Sequence, residues 1–125
     1  MAKAPNQVPD ELKHLFPLTP AVFFILFALA DGEKHGYAIM QSVSELSADQ
    51  FRMGPGTLYS TIQRLEEMEL IEETEGTGEP SDHESRRRYY KLTSIGRTVL
   101  KADIGRMESV IRLARERKLT PSTAG

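Results

Sequence analysis

The sequence predicts a mainly α-helical fold with a small β-wing and a long C-terminal helix. Three observations predict it. An amphipathic helix opens at Gly54-Pro55, two β-type runs follow it directly, and the last long segment carries apolar residues at heptad spacing. With 125 residues the chain is one domain with a modest core. An apolar share of 39% and a charged share of 27% describe a soluble globular protein. There is no cysteine, which excludes disulfides, thiolate zinc sites and cysteine nucleophiles. The first residues lack the apolar core of a signal peptide, so a cytoplasmic protein is expected.

Residues 1–17 read as a loose arm ending in a short helix over Asp10 to Phe16, with acids at its positive end. Thr19-Pro20 is a cap followed by proline in the first helical turn. The unbroken apolar run Ala21 to Ala30 is far shorter than the ~20 residues of a membrane span, so it reads as a helix buried on all sides. Asp31-Gly32-Glu33-Lys34 is a turn. Gly36 opens a second helix through Ile39, Val43 and Leu46, with His35 as a capping or packing residue beside it. The loop before Gly54 holds Phe51-Arg52-Met53, which could form a brief strand.

From Pro55 the residues Leu58, Ile62, Leu65 and Met68 draw one apolar stripe. Wheel arithmetic sets Thr57, Ser60, Gln63 and Arg64 on the far side and Tyr59 at the flank. Helix, break and helix in this order make a helix-turn-helix with an extended loop. Leu70 to Glu75 and Arg86 to Leu92 are strands, joined by the turn-rich Gly76 to Glu84, and this wing completes a winged helix-turn-helix over residues 18–92. Tyr90 and Leu92 should face the core, with Arg87, Tyr89 and Lys91 opposite. Thr93 caps a final helix over 93–118, in which Leu100, Ile104, Met107, Ile111 and Ala114 form a heptad seam for a helical dimer. A disordered tail is expected over 119–125.

A helix buried on one side and presenting Gln and Arg on the other has the chemistry to read base edges in a major groove. An ordinary surface helix would also tolerate both residues. The formal net charge of −2 decides nothing, because the charge is segregated. Glu66 to Glu84 holds nine acids and no base, whereas Arg86 to Lys118 holds eleven bases against Asp103, Glu108 and Glu116. Asp82-His83-Glu84 has the residue types of metal ligands, but three neighbours in a polar loop do not converge on one ion, so no metal site is expected. Scattered carboxylates and isolated histidines give no catalytic set, so neither enzyme activity nor a cofactor is expected.

Gly36-Tyr37, the run Gly56-Thr57-Leu58-Tyr59 followed by Leu65-Glu66, and Tyr89-Tyr90-Lys91-Leu92-Thr93 with Gly96 together resemble the PadR family of bacterial transcriptional regulators, over about Leu18 to Leu100. The resemblance implies a winged helix-turn-helix that binds double-stranded operator DNA as a homodimer, usually as a repressor relieved by a small-molecule effector. It sets Thr57, Tyr59, Ser60, Gln63 and Arg64 on the recognition helix and Arg86, Arg87 and Arg88 on the wing. The final helix corresponds to a short dimerisation element, as in compact members. Two features depart from the family pattern: the wing loop is long and acidic, and no Trp is present to line an aromatic drug slot. The alternative is a dimeric winged-helix adaptor that binds protein or ligand without an operator, for which the acidic stretch is the best support.

Overall fold

A computed structural model describes residues 7–75 and 88–121. Its elements are a 3₁₀ helix Asp10–Leu15, α1 Pro20–Ala28, β1 Lys34–His35, α2 Gly36–Leu46, α3 Pro55–Glu67, β2 Ile71–Thr74, β3 Tyr89–Leu92 and α4 Ser94–Glu116. The architecture is mainly helical with a small antiparallel sheet, as the sequence predicts. The short N-terminal helix is 3₁₀ rather than α, and a cis Phe16-Pro17 bond follows it.

Start signals of α1, α3 and α4 act as read. Thr19 Oγ1 accepts from the Val22 N–H, with Pro20 at the first helical position. Gly54 precedes Pro55 at the start of α3, and Thr93 Oγ1 accepts from the Gly96 N–H at the start of α4. His35 is the cap of α2, its Nδ1 accepting from the Ala38 N–H at 3.3 Å.

The sheet has three strands in the order β1-β3-β2, one more than the wing alone. Lys34 pairs with Tyr90 and His35 with Tyr89, while Ile71 pairs with Leu92 and Glu72 with Lys91. Phe51-Arg52-Met53 is not a strand. Both backbone groups of Phe51 are taken by one side chain: its N–H donates to Ser47 Oγ, and the Ser47 hydroxyl donates to its carbonyl. No ladder partner is then needed.

The core is formed by Ile25, Leu26 and Leu29, by Ile39 and Val43 of α2, by Leu58 and Leu65 of α3, and by Leu70 and Val99, all fully or almost fully buried. Helix α1 lies at its centre, touching α2, α3 and α4. Its all-round apolar sequence is thus used almost all round; of its large side chains Phe24 is partly buried and Phe27 reaches the surface, at 36% exposure. Gly96 lets α4 lean on the end of α3, since a Cβ there would lie 1.9 Å from the Leu70 carbonyl oxygen. Thr93 ties the same junction, its N–H donating to Leu70 O and its hydroxyl to Glu69 O. Among the described residues no helix is long and apolar enough to cross a membrane.

Candidate nucleic-acid interface

Helix α3 turns Leu58, Thr61, Ile62 and Leu65 into the core. The remaining arc holds Thr57, Ser60, Gln63 and Arg64, and all four are exposed, as the wheel arithmetic requires. Ser60 and Thr61 both donate their hydroxyls back to Thr57 O, at 3.2 and 2.7 Å, which rigidifies the first turn of this face. Short hydroxyl side chains near its start and Gln and Arg one turn on make a shallow polar surface with a single cation.

Tyr59 stands apart from that arc. It is 49% exposed, and its phenol lies over the start of α2, where a Cβ on Gly36 would come within 2.2 Å of the hydroxyl oxygen. The sequence motif Gly36-Tyr37 therefore has a steric cause: position 36 has no room for a side chain while Tyr59 keeps this place. Tyr37, which entered the sequence reading only through the Gly36-Tyr37 motif, is 61% exposed.

Of the three wing arginines, Arg86 and Arg87 lie outside the described residues, as does the Asp82-His83-Glu84 run. Arg88 is exposed and stands 3.9 Å from Glu73, while Lys91 is 3.4 Å from Glu72. Acid strand and basic strand thus meet across the sheet. Exposed pairs of this kind are worth at most about 1 kcal/mol, so they damp the wing's positive field without removing either cation from use. Tyr90, buried on the other face of β3, has its phenol pushed above the usual tyrosine range by burial and then by the nearby Glu66 carboxylate. Among the described residues no group of three or more His, Asp or Glu is placed to hold a metal ion.

The predicted dimer seam divides in two. Leu100 is in the domain's own core, and Ile104 and Met107 pack half-buried against it. Farther on, Ile111 is 45% exposed, Val110 54% and Leu113 51%, with Ala114 half-buried. Leu113 was not part of the predicted seam. The sequence reading also missed Asp103, which is fully buried. Its Oδ1 accepts from Arg106 Nε at 2.9 Å and from the Leu18 N–H at 3.5 Å, and its Oδ2 has no partner among the described residues. The three-residue spacing of Asp103 and Arg106 was its one local signal.

Residues 25–102 match the model of the transcriptional regulator PadR-like family. Over 83 residues the chain is 37% identical to a 37.1 kDa protein of transposon TN4556 from Streptomyces fradiae, covering 66% of this chain and 21% of that one, so it spans about a fifth of that relative's length. It is 38% identical over 89 residues to the transcriptional regulator Rv3488 of Mycobacterium tuberculosis, covering 70% of this chain and 76% of the relative. The fold is also that of Bacillus subtilis PadR, solved in complex with operator DNA, at a TM-score of 0.57 and 21% identity over 69% of this chain and 46% of that one.

Proposed function

The chain belongs to the PadR-like family of transcriptional regulators, and from that premise we propose that it binds operator DNA as a homodimer, with α3 in the major groove. The observation that carries this reading is the exposed arc of Thr57, Ser60, Gln63 and Arg64 opposite the buried stripe of α3. Gln63 has an amide donor and acceptor side by side and Arg64 a pair of donors, both able to meet base edges in two bonds, each such contact giving roughly 1–3 kcal/mol of discrimination. Arg88, and Arg86 and Arg87 beside it in sequence, supply phosphate contacts from the wing. The B. subtilis relative solved with operator DNA supports the same partner.

The uncovered apolar end of α4 supports the dimer. Two copies related by a two-fold axis meet one side of B-DNA when their half-site centres lie about one helical turn apart, ~10 bp, or a multiple of it. The operator is therefore an inverted repeat. Repression relieved by a small-molecule effector is the mode that the family resemblance supports.

A footprint on the DNA upstream of the chain's own gene, with duplex titration at two salt concentrations, tests the reading. A protected inverted repeat and binding that weakens steeply with salt are expected. Absence of salt-dependent duplex binding would leave the adaptor reading in its place.

A further inference from the structure

We infer that His35 is an acid-sensitive joint: its neutral imidazole caps α2, and protonation removes the cap and loosens α2 from α3. This is a property of the free chain, and only its consequence for DNA rests on the reading proposed above. His35 Nδ1 accepts from the Ala38 N–H at 3.3 Å. A neutral ring donates from one nitrogen and accepts at the other, so this bond places the proton on Nε2. An imidazolium has an N–H on both nitrogens and can accept nothing. Protonation therefore turns the acceptor of the cap into a second donor facing the Ala38 N–H. Thr19 and Thr93 cap α1 and α4 with hydroxyl oxygens, which stay acceptors at any physiological pH, and α3 starts without a side-chain cap. Among the described helix starts, acid reaches that of α2 alone.

The surroundings resist the cation further. The ring lies at the positive end of the α2 dipole. Facing it are Tyr37 of α2, Tyr59 of α3, and Arg88 and Tyr89 where β3 begins. Arg88 is a fixed cation, and a phenol carries no charge near pH ~6.5. Next to His35 on β1, Lys34 is a second cation, ion-paired with Asp31. The Glu33 carboxylate accepts from the Thr74 hydroxyl, and that of Glu73 stands 3.9 Å from Arg88. No carboxylate lines the cleft around the ring among the described residues. His35 itself is anchored in the sheet, paired with Tyr89 and with the two rings edge-on, their centroids 5.5 Å apart. When the cap is lost, movement therefore falls on α2. Its first residue, Gly36, lies under the Tyr59 hydroxyl with no room for a Cβ, so a shifted start of α2 meets α3 directly.

The experiment follows the full chain from about pH 8 to about pH 5, beside His35→Asn, because asparagine caps a helix without titrating. A free imidazole protonates near pH ~6.5. The folded state needs the neutral ring and the unfolded chain does not. The contribution of the cap is therefore fully present above about pH 6.5 and is lost as pH falls below it. Relative to His35→Asn, the wild-type folding equilibrium constant in urea should fall about fivefold over that range, the scale of one cap. His14→Asn, at an exposed position, should track wild type. In nuclear magnetic resonance, the Ala38 amide of wild type should lose exchange protection in step with titration of the His35 ring, and that of His35→Asn should keep it. Parallel stability curves would overturn the joint, and so would a His35 ring that titrates while Ala38 stays protected. If His35→Asn does not fold, the ring and amide titration of wild type decides alone. On the footprinted duplex, in salt high enough to screen one added charge, wild type should lose affinity on acidification and His35→Asn should not. Wild type that gains affinity relative to the variant would mean that the imidazolium leaves the helix pair intact, against the joint. Duplex binding absent at every pH would sink the regulator reading alone, since the cap is read on the free protein.

Discussion

Asp103 shows what one residue can hold. Its carboxylate is fully buried 85 residues away from Leu18, whose N–H it accepts, and Arg106 supplies a countercharge. Arg106 is itself 41% exposed, so its own desolvation is modest, whereas its loss strands a buried charge. Arg106→Ala should therefore cost about 2 kcal/mol in urea unfolding, discounted from a fully buried pair for that exposure. Arg112→Ala, an exposed position on the same helix, should cost less than about 0.5 kcal/mol. Equal costs would mean that the ion pair holds nothing. Tyr90 makes a second single-residue case, with a sign that is easily checked. Burial raises its phenol above the ordinary tyrosine range, so the folded state keeps its proton longer than the unfolded state does. The stabilisation is fully present below about pH 10 and is lost as pH rises through the raised value. Stability measured from pH 8 to 11 should fall more steeply in wild type than in Tyr90→Phe, and parallel curves would refute the linkage.

At the scale of elements, what the sequence announces is what local chemistry determines. Thr19-Pro20, Gly54-Pro55 and Thr93 were legible as helix starts because a cap acts within three residues of itself. The exposed arc of α3 was legible for a similar reason, since a period of 3.6 fixes which side chains share a face. Contacts between distant segments were not legible. Lys34–His35 is too short to show alternation and becomes a strand only because Tyr89 and Tyr90 pair with it. Phe51 lost its strand to the Ser47 hydroxyl. The seat of Tyr59 over Gly36 joins positions far apart in the chain, although both lay in the motifs that carried the family resemblance. Glycine in α4 tests this distinction between local and distant causes. Gly96→Ala places a methyl 1.9 Å from the Leu70 carbonyl, where only backbone can move, and should destabilise by on the order of 3 kcal/mol. Gly105→Ala, with nothing within 4 Å of the added Cβ, should raise stability by about 0.5–1 kcal/mol through helix propensity alone. Denaturant midpoints that shift alike in the two variants would show that α4 does not lean on the end of α3.

For the whole molecule, the question is what covers the far end of α4. The helix has 23 residues and is therefore about 35 Å long, more than this domain can pack against. Its first half is used at home: Val99, Leu100 and Asp103 are buried, and Ile104 and Met107 rest on the core. Past Met107, Val110, Ile111 and Leu113 are each about half exposed, and Leu119 is 71% exposed. An apolar stripe that ends in solvent loses roughly 25 cal/mol for each Å² left uncovered, and a second copy docked by a two-fold axis covers both stripes at once. Ile104 is a poor site at which to test this, because an aspartate there would also disturb the domain's own core. Ile111 separates the two effects. Ile111→Asp should keep its helical circular dichroism and run with the mass of a monomer in light scattering, where wild type should run as a dimer. Wild-type unfolding temperature should rise with protein concentration, and that of the variant should not. On DNA, a monomer presents one α3 and one wing, so its log–log salt slope should be about half that of wild type, and its affinity should no longer depend on half-site spacing. A variant that retains dimer mass and spacing preference would place the dimer contact elsewhere and leave the end of α4 without a role in assembly.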